Sequence, residues 1–382
     1  MASSATPFSA TYAVARQRFR QAARQLDWHL ESYPIDASGP DGEELTIDVA
    51  CSPGGTSDRV LVVSSGVHGI EGFPGSAIQI ALLETWAITA PPATRCVFLH
   101  GLNPYGFAWL RRFDENNVDL NRNFLLPGER FEGAPEFYAE LNNFLNPMLP
   151  PRRWEPFVLK ALYLIALYGM SALQQSVASG QYCYPHGLFF GGIGPSKSQK
   201  ILGENLSRWL AGSDRVVHLD FHTGLGPHGT CRLLIDYPLN ERQHEWLTEW
   251  FGAGSFEACD SSTAAYDAKG GFGRWCAAQH LAPDYLFACA EFGTFGPVKV
   301  LGGLRAENQA HHWGEPQCNS TRRAKEQLRE LFCPSSNAWR SQFLQRSFDL
   351  ISRAQQGLLA VSGSVTLPHR VPGDTGGGLR EA

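Results

Sequence analysis

The sequence has few charged residues and no excess of basic ones. Asp, Glu, Lys and Arg make up 18% of the 382 residues, and the formal net charge is −5. Because a protein that binds nucleic acid usually carries a strongly basic face, this composition argues against nucleic acid as a partner. Hydrophobic residues make up 43% of the chain, which excludes a disordered protein and is enough for a large buried core.

Paired cysteines with metal-binding or redox spacing are also absent. The nine cysteines are scattered along the chain, and none belongs to a C-x-x-C pair. An odd, scattered set is typical of reduced thiols rather than of a disulfide framework. The N-terminal residues lack an apolar stretch followed by a cleavage site, so we expect no signal peptide. These features predict a cytoplasmic protein.

No apolar run is long enough to cross a bilayer. Residues 157–173, FVLKALYLIALYGMSAL, are nearly all apolar but fall short of the roughly 20 residues that a spanning helix needs, and Lys160 lies near their start. We therefore expect a buried or lid helix and no membrane partner. A helix associated with a membrane surface remains the alternative.

Strand-like runs alternate with helical patterns along the chain, and no internal repeat is present. The strand-like runs are RVLVVSS, TRCVFLHG, DRVVHLDFHTG, TCRLLIDYP and DYLFACAEFGT. This alternation predicts an α/β fold in which helices flank a parallel or mixed sheet. Polar clusters follow several of these runs, and open α/β sheets place their sites at the carboxyl ends of strands.

The first polar cluster, VHGIEG, directly follows a strand-like run. It places His68 and Glu71 three residues apart, with glycines around them that permit a tight turn. Imidazole and carboxylate groups are good zinc ligands. H-x-x-E is a weak motif by itself, so an ordinary polar loop remains the alternative.

The second cluster, HLDFHTG, offers a further metal ligand. His222 lies at the end of this run, and a third protein ligand would leave one zinc position open for water, as in catalytic sites. His218 and Asp220 share a strand face with His222 and could orient ligands. A satisfied core histidine is the alternative for His218.

Two more clusters carry charged residues. RRFDENNVDLNRNF brings together Arg111, Arg112, Asn121 and Arg122, a set that suits an anion because guanidinium groups form paired hydrogen bonds with carboxylates. A solvated charged loop is the alternative.

In AEFGTFG, Glu291 follows a buried run, where a carboxylate is costly unless it is paired or functional. Burial could tune it into a general base.

In chain order these clusters resemble the zinc metallocarboxypeptidase family, the carboxypeptidase A-like proteins. The resemblance covers roughly residues 55–315, and NVDLNRNF is its most specific string. The tyrosine of that family matches YDAKGGFGRW, which begins at Tyr266. LDFHTG is also similar to the succinylglutamate desuccinylase and aspartoacylase branch. The chain therefore resembles an uncharacterised bacterial branch between the two.

The resemblance implies a fold and a set of roles. The fold would be a twisted mixed sheet of about eight strands flanked by helices. One Zn²⁺ per chain would be held by His68, Glu71 and His222. Glu291 would be the base, and Arg112, with Arg111 as second choice, would stabilise the oxyanion. The remaining implied role is binding of a substrate carboxylate, by Asn121, Arg122, Tyr266 and Arg111.

We therefore predict a zinc-dependent hydrolase that cleaves an amide bond next to a free carboxylate in a small peptide. Ile70 stands where the peptidases usually have an arginine, which favours the alternative of an N-acyl-amino-acid deacylase. A binding module with the same fold would have lost a ligand or the base, and none is lost. A serine hydrolase is disfavoured, because Ser64 and Ser65 lack the G-x-S-x-G elbow.

The predicted organisation is one large domain with attached segments. Residues 1–45 would form a helical and extended segment packed on the core, and residues 46–361 the zinc-hydrolase domain. A helical lid would be inserted at about 125–200. The Gly- and Pro-rich residues 362–382 would form a flexible tail. The sequence leaves the oligomeric state open.

Overall fold

The centre of the fold is a mixed sheet of eight strands. The computed structural model describes residues 6–54, 56–152, 155–258 and 269–360. The strands are β1 (His29–Ser38), β2 (Glu44–Cys51), β3 (Thr56–Ser65), β4 (Thr94–His100), β5 (Arg215–Thr223), β6 (Cys231–Ile235), β7 (Phe256–Ala258) and β8 (Asp284–Phe292). Their order is β1-β2-β4-β3-β5-β8-β6-β7. This sheet confirms the predicted α/β class. The predicted tail and Tyr266 lie outside the described residues.

Helices flank the sheet and connect its strands. They are α1 (Tyr12–Gln25), α2 (Gly72–Ile88), α3 (Pro104–Ala108), α4 (Tyr138–Leu145), α5 (Phe157–Tyr168), α6 (Met170–Ala178), α7 (Lys197–Trp209), α8 (Glu241–Trp246), α9 (Phe272–Ala278), α10 (Pro297–Trp313), α11 (Asn319–Phe332) and α12 (Asn337–Ala360). Short 3₁₀ helices cover Gly69–Glu71 and Leu120–Arg122. None of the helices in the described ranges is long and apolar enough to cross a membrane.

Strands β3, β5 and β8 run parallel at the centre of the sheet. They are buried on both faces, which explains why their sequences are nearly continuous apolar runs rather than alternating ones. In the register, Ser65 pairs with Phe221, and His222 pairs with Glu291. The carboxyl ends of the three strands therefore meet at one edge of the sheet.

The N-terminal residues are part of this architecture. β1 pairs antiparallel with β2, and Tyr12 and Phe19 of α1 are buried in the core. Arg20 of the same helix donates to both carboxylate oxygens of buried Asp48 in β2, at 2.9 and 2.7 Å. Because a buried carboxylate is costly without a partner, this pair holds α1 against the sheet.

The loop after β3 contacts α3 backbone to backbone. Gly66 has a φ of +74°, which directs the chain away from the strand end. A Cβ atom on Gly69 would lie 2.2 Å from the carbonyl carbon of Gly106 in α3. No side chain fits there, so glycine at position 69 allows the His68–Glu71 turn to sit directly on α3.

We predict that Gly69→Ala destabilises the protein. The added methyl group overlaps the Gly106 backbone, so the loop or α3 must shift. Overpacking of this kind costs about 1–3 kcal/mol in the free energy of unfolding, which urea denaturation measures. Gly254→Ala is the control, because its Cβ atom would meet no heavy atom within 4 Å. Equal stability of the two variants would contradict the close packing.

Candidate metal centre

His68, Glu71 and His222 converge at the edge where the central strands end. His68 and Glu71 lie on the turn after β3, and His222 lies at the end of β5. One potential ligand atom from each residue lies within 4.8 Å of the other two, and all three residues are buried. Within the described residues, His222 also forms a second group of this kind with Cys289 and Glu291.

Both histidines direct the same ring nitrogen towards one carboxylate. His68 Nδ1 lies 2.9 Å from Glu71 Oε1, and His222 Nδ1 lies 3.1 Å from Glu71 Oε2. Ligands around a tetrahedral zinc ion are about 3.3 Å apart, given metal–ligand distances near 2.0–2.2 Å. The spacing and the chemistry of these three donors therefore fit a zinc ion.

The opposite ring nitrogens each lie beside a further carboxylate. His68 Nε2 lies 3.3 Å from Asp119 Oδ1, and His222 Nε2 lies 2.5 Å from Asp220 Oδ2. Such carboxylates fix the ring orientation and leave Nδ1 available for a metal. Asp220 was predicted in this role from its strand face, whereas Asp119 was not predicted. The available signal was its position two residues before Asn121 in the VDLNRNF string.

Asp220 is held in turn by a buried hydrogen-bond chain. Ser64 Oγ donates to Asp220 Oδ1 at 2.6 Å and lies 2.7 Å from His218 Nε2. His218 Nδ1 lies 2.7 Å from the Tyr285 hydroxyl. Burial lowers the pKa of His218 to about 4, so the ring is neutral at neutral pH. His218 is thus a buried histidine that supports Asp220 through Ser64.

The charge of the centre also suits a cation. Four buried carboxylates surround it, and the neighbouring guanidinium groups are those of Arg112 and Arg122. With neutral imidazoles, this set carries more negative than positive charge, which a divalent cation would compensate. The four carboxylates belong to Glu71, Asp119, Asp220 and Glu291.

The neighbouring charges shift the pKa values of Glu71 and His222. Burial alone would raise the pKa of Glu71, but His68 and His222 hold it well below its usual range. Burial would likewise keep His222 neutral, but Asp220 and Glu71 raise its pKa well above the usual value. These carboxylates therefore favour positive charge at the point where the three candidate ligands meet.

Glu291 lies beside the ligand set on the neighbouring strand. It is 8% exposed, and Oε1 accepts a hydrogen bond from the Leu225 N–H at 2.8 Å. Burial raises the pKa of Glu291 to about 7, and the charge of Glu71 adds to this shift. A carboxyl group with a pKa near neutrality can both accept and donate a proton.

The structure separates the two adjacent arginines. Arg112 faces the centre: Nε donates to Asp119 Oδ2 at 2.9 Å, and Nη2 lies 2.6 Å from His68 Nε2. Arg111 is fully buried elsewhere, where Nε donates to Glu307 Oε1 of α10 at 3.0 Å. Arg111 is therefore not brought to the centre, and its contacts are those of a buried ion pair.

Asn121 and Arg122 form a turn packed between α9 and the segment inserted before α7. Asn121 Oδ1 accepts from the Phe272 N–H at 2.9 Å, at the start of α9. The backbone carbonyl of Arg122 accepts from the Tyr182 hydroxyl at 2.8 Å. The charge of Arg122 helps to lower the pKa of Asp119, so this turn lies close to the metal centre.

We predict that Arg111→Met lowers stability without affecting metal binding. Removing one partner of a buried ion pair costs about 3 kcal/mol or more, and Lys325, 2.9 Å from Glu307 Oε1, offsets only part of the loss. Urea denaturation and metal analysis measure the two effects. Arg323→Met, at an exposed position of α11, is the control and should change stability by less than about 0.5 kcal/mol. Loss of metal with unchanged stability would place Arg111 in the centre.

This chain is similar to several solved structures. Bovine thrombin-activatable fibrinolysis inhibitor, in complex with tick carboxypeptidase inhibitor, is 10% identical with a TM-score of 0.50, and the match covers 93% of this chain and 98% of that chain. Succinylglutamate desuccinylase from Chromobacterium violaceum is 16% identical with a TM-score of 0.35, and the match covers 84% and 75%. The first likeness shows a shared fold.

The sequence comparisons place the chain in a family. No curated protein sequence matches it. Residues 8–346 match the model of the family described as Protein of unknown function (DUF2817). Because this match spans most of the chain, the protein belongs to the DUF2817 family.

Proposed function

We propose that this protein is a zinc-dependent hydrolase that cleaves an amide bond adjacent to a free carboxylate, with small peptides as substrates. The observation that carries the proposal is the convergence of His68, Glu71 and His222 beside Glu291 on the neighbouring strand. Two imidazoles and one carboxylate leave a position for water, as catalytic zinc sites require.

The residues around the centre would each have a separate role in the reaction. When bound, zinc would polarise the scissile carbonyl and lower the pKa of water. Glu291 would take a proton from the attacking water and later give it to the leaving amine, a role that a pKa of about 7 suits. Arg112, which faces the centre, would donate hydrogen bonds to the oxygen on which negative charge develops.

Binding of the substrate carboxylate is proposed for the neighbouring turn. Arg122 would pair with the carboxylate, and Asn121 would position the turn through its bond to the start of α9. Tyr266 keeps its proposed role from the family resemblance. The inserted segment at about 125–200 is proposed as a lid, because its Tyr182 already contacts Arg122.

A second candidate is an N-acyl-amino-acid deacylase. It would use the same ligands, base and carboxylate anchor, and would differ in the acyl group that is removed. Ile70 favours it: this residue is fully buried, so the position before Glu71 offers no charged group to a peptide backbone. The family resemblance gives peptidases an arginine there.

We predict about one zinc ion per chain in the purified protein. His68→Ala and His222→Ala each remove a ligand and should abolish stoichiometric binding, measured by elemental analysis after dialysis. Asp119→Asn keeps the ligands but loosens the His68 ring, so affinity should fall about 10- to 100-fold. His29→Ala is the control, because its side chain is 71% exposed. Full zinc content in His68→Ala or His222→Ala would contradict the assignment of these residues as zinc ligands.

We predict that Glu291→Gln retains zinc but loses turnover. The amide oxygen can still accept from Leu225, whereas the side chain can no longer take a proton, so kcat should fall about 10²- to 10⁴-fold. The assay panel contains dipeptides, their C-terminal amides and N-acyl amino acids. Glu257→Gln, at an exposed position of β7, is the control.

Two outcomes of this assay would count against the proposal. Full activity of Glu291→Gln would remove Glu291 as the base. Equal turnover of free and amidated dipeptides by the unaltered protein would remove the carboxylate requirement. Activity on N-acyl amino acids alone would favour the deacylase.

A further inference from the structure

Helix α5 exposes an apolar surface that the described part of the chain does not cover. Its sequence is FVLKALYLIALY, with Lys160 as the only charged residue, and only Ala161 is buried. Of the two alternatives expected for 157–173, the buried helix is therefore wrong for α5, and the lid helix stays a prediction. Leu159 and Tyr163 are 70% and 67% exposed. A helix that is apolar all round is normally buried, so these side chains mark an interaction surface.

The exposed residues form one continuous stripe. Large apolar side chains recur three to four residues apart along one side of the helix, the spacing at which side chains on a helix are neighbours. On α5 the stripe is about 14 Å long, given a rise of 1.5 Å per residue. Its members on α5 are Val158, Leu159, Leu162, Tyr163 and Leu167, and Met170 at the start of α6 is also included. We call this set the α5 stripe.

The start of α5 is fixed to the body of the protein. The Phe157 ring stacks on Phe144 with centroids 5.3 Å apart. Arg305 of α10 donates to both carboxylate oxygens of Glu155, at 2.7 and 2.6 Å, and its side chain is 5% exposed. The α5 stripe is therefore exposed although the start of its helix is held against the rest of the protein.

The size of the surface matches that of a protein–protein interface. Met148 and Leu149 are also exposed, at 73% and 50%, and Leu149 is tied to the same α10 through its carbonyl, which accepts from Gln309. With roughly 100 Å² exposed by each large apolar side chain, the two residues and the α5 stripe present on the order of 800 Å². A standard stable interface buries about 800 Å² on each partner.

The charge pattern distinguishes a protein partner from a membrane. Helices that lie on a membrane surface carry a strongly charged face rich in Lys and Arg. Helices α5 and α6 together contain a single charged residue, Lys160, which lies 3.8 Å from Glu155. Arg152 and Arg153 precede α5, but the helix itself lacks the strongly charged face of a membrane-surface helix.

We propose that the α5 stripe is the interface of a symmetric dimer, in which α5 of one copy packs against α5 of a second copy of this chain. A twofold axis pairs one surface with itself, so an uncharged apolar stripe is self-complementary without any matching charge. Burial of both stripes would remove the exposed apolar area from water. This proposal does not depend on the proposed hydrolase activity.

The test measures the molar mass of the full chain by light scattering and sedimentation over a wide range of protein concentration. We expect twice the chain mass of 42.1 kDa for the unaltered protein. The double variant Leu159→Glu/Tyr163→Glu should have the mass of one chain, with unchanged circular dichroism. Ile88→Glu and Ile193→Glu are matched controls, because both residues are 86% exposed outside α5, and each should remain dimeric.

A second variant keeps the test decisive if the double variant misfolds. Leu162→Cys lies on the α5 stripe and should form an intermolecular disulfide under mild oxidation, whereas Ile88→Cys should not. A single-chain mass for the unaltered protein at every concentration would overturn the proposal. So would a dimer that survives Leu159→Glu/Tyr163→Glu, or flotation of the unaltered protein with phosphatidylglycerol vesicles that this double variant abolishes.

Discussion

The buried carboxylate of Glu71 is the group around which the rest of the site is arranged. One oxygen lies against His68 and the other against His222, and the second also accepts from the Thr223 N–H at 3.0 Å. A carboxylate in this position is costly without such partners. The fold therefore has to place the turn after β3 beside the end of β5, at the same edge of the sheet. The parallel register and the close approach of Gly69 to α3 achieve this.

Two further carboxylates lie beside the histidine rings and orient them. Asp119 and Asp220 hold the outer nitrogens of the two histidines, so the inner nitrogens face Glu71. Arg112 joins these carboxylates by donating to Asp119 and contacting His68. The same residues thus orient the candidate ligands and place a guanidinium group where negative charge would develop in the proposed reaction. The residues that orient the candidate ligands and the residue that would stabilise negative charge therefore belong to one set of contacting side chains.

The segment between residues 125 and 200 makes two kinds of contact that its sequence does not distinguish. One part, around Tyr182, packs on the turn that carries Arg122. Another part, α5, is anchored by Arg305 and presents apolar side chains outward. Both parts are rich in apolar and aromatic residues, and their difference lies only in what each one contacts. The surface of the proposed dimer interface and the contact with the turn that carries Arg122 therefore belong to one segment of the chain.

The sequence by itself predicted five of the eight strands and the strand ends that carry the candidate ligands, whereas the eight-strand sheet and the ligand set followed from the family resemblance. Buried parallel strands require continuous apolar runs, and polar residues that interrupt such runs at strand ends converge on one edge. Only the tertiary structure separated Arg111 from Arg112: Arg112 contacts Asp119 and His68, whereas Arg111 is buried against Glu307 of α10. It also decided that α5 is exposed, because an apolar helix has the same sequence pattern whether the surface that covers it belongs to its own chain or to another.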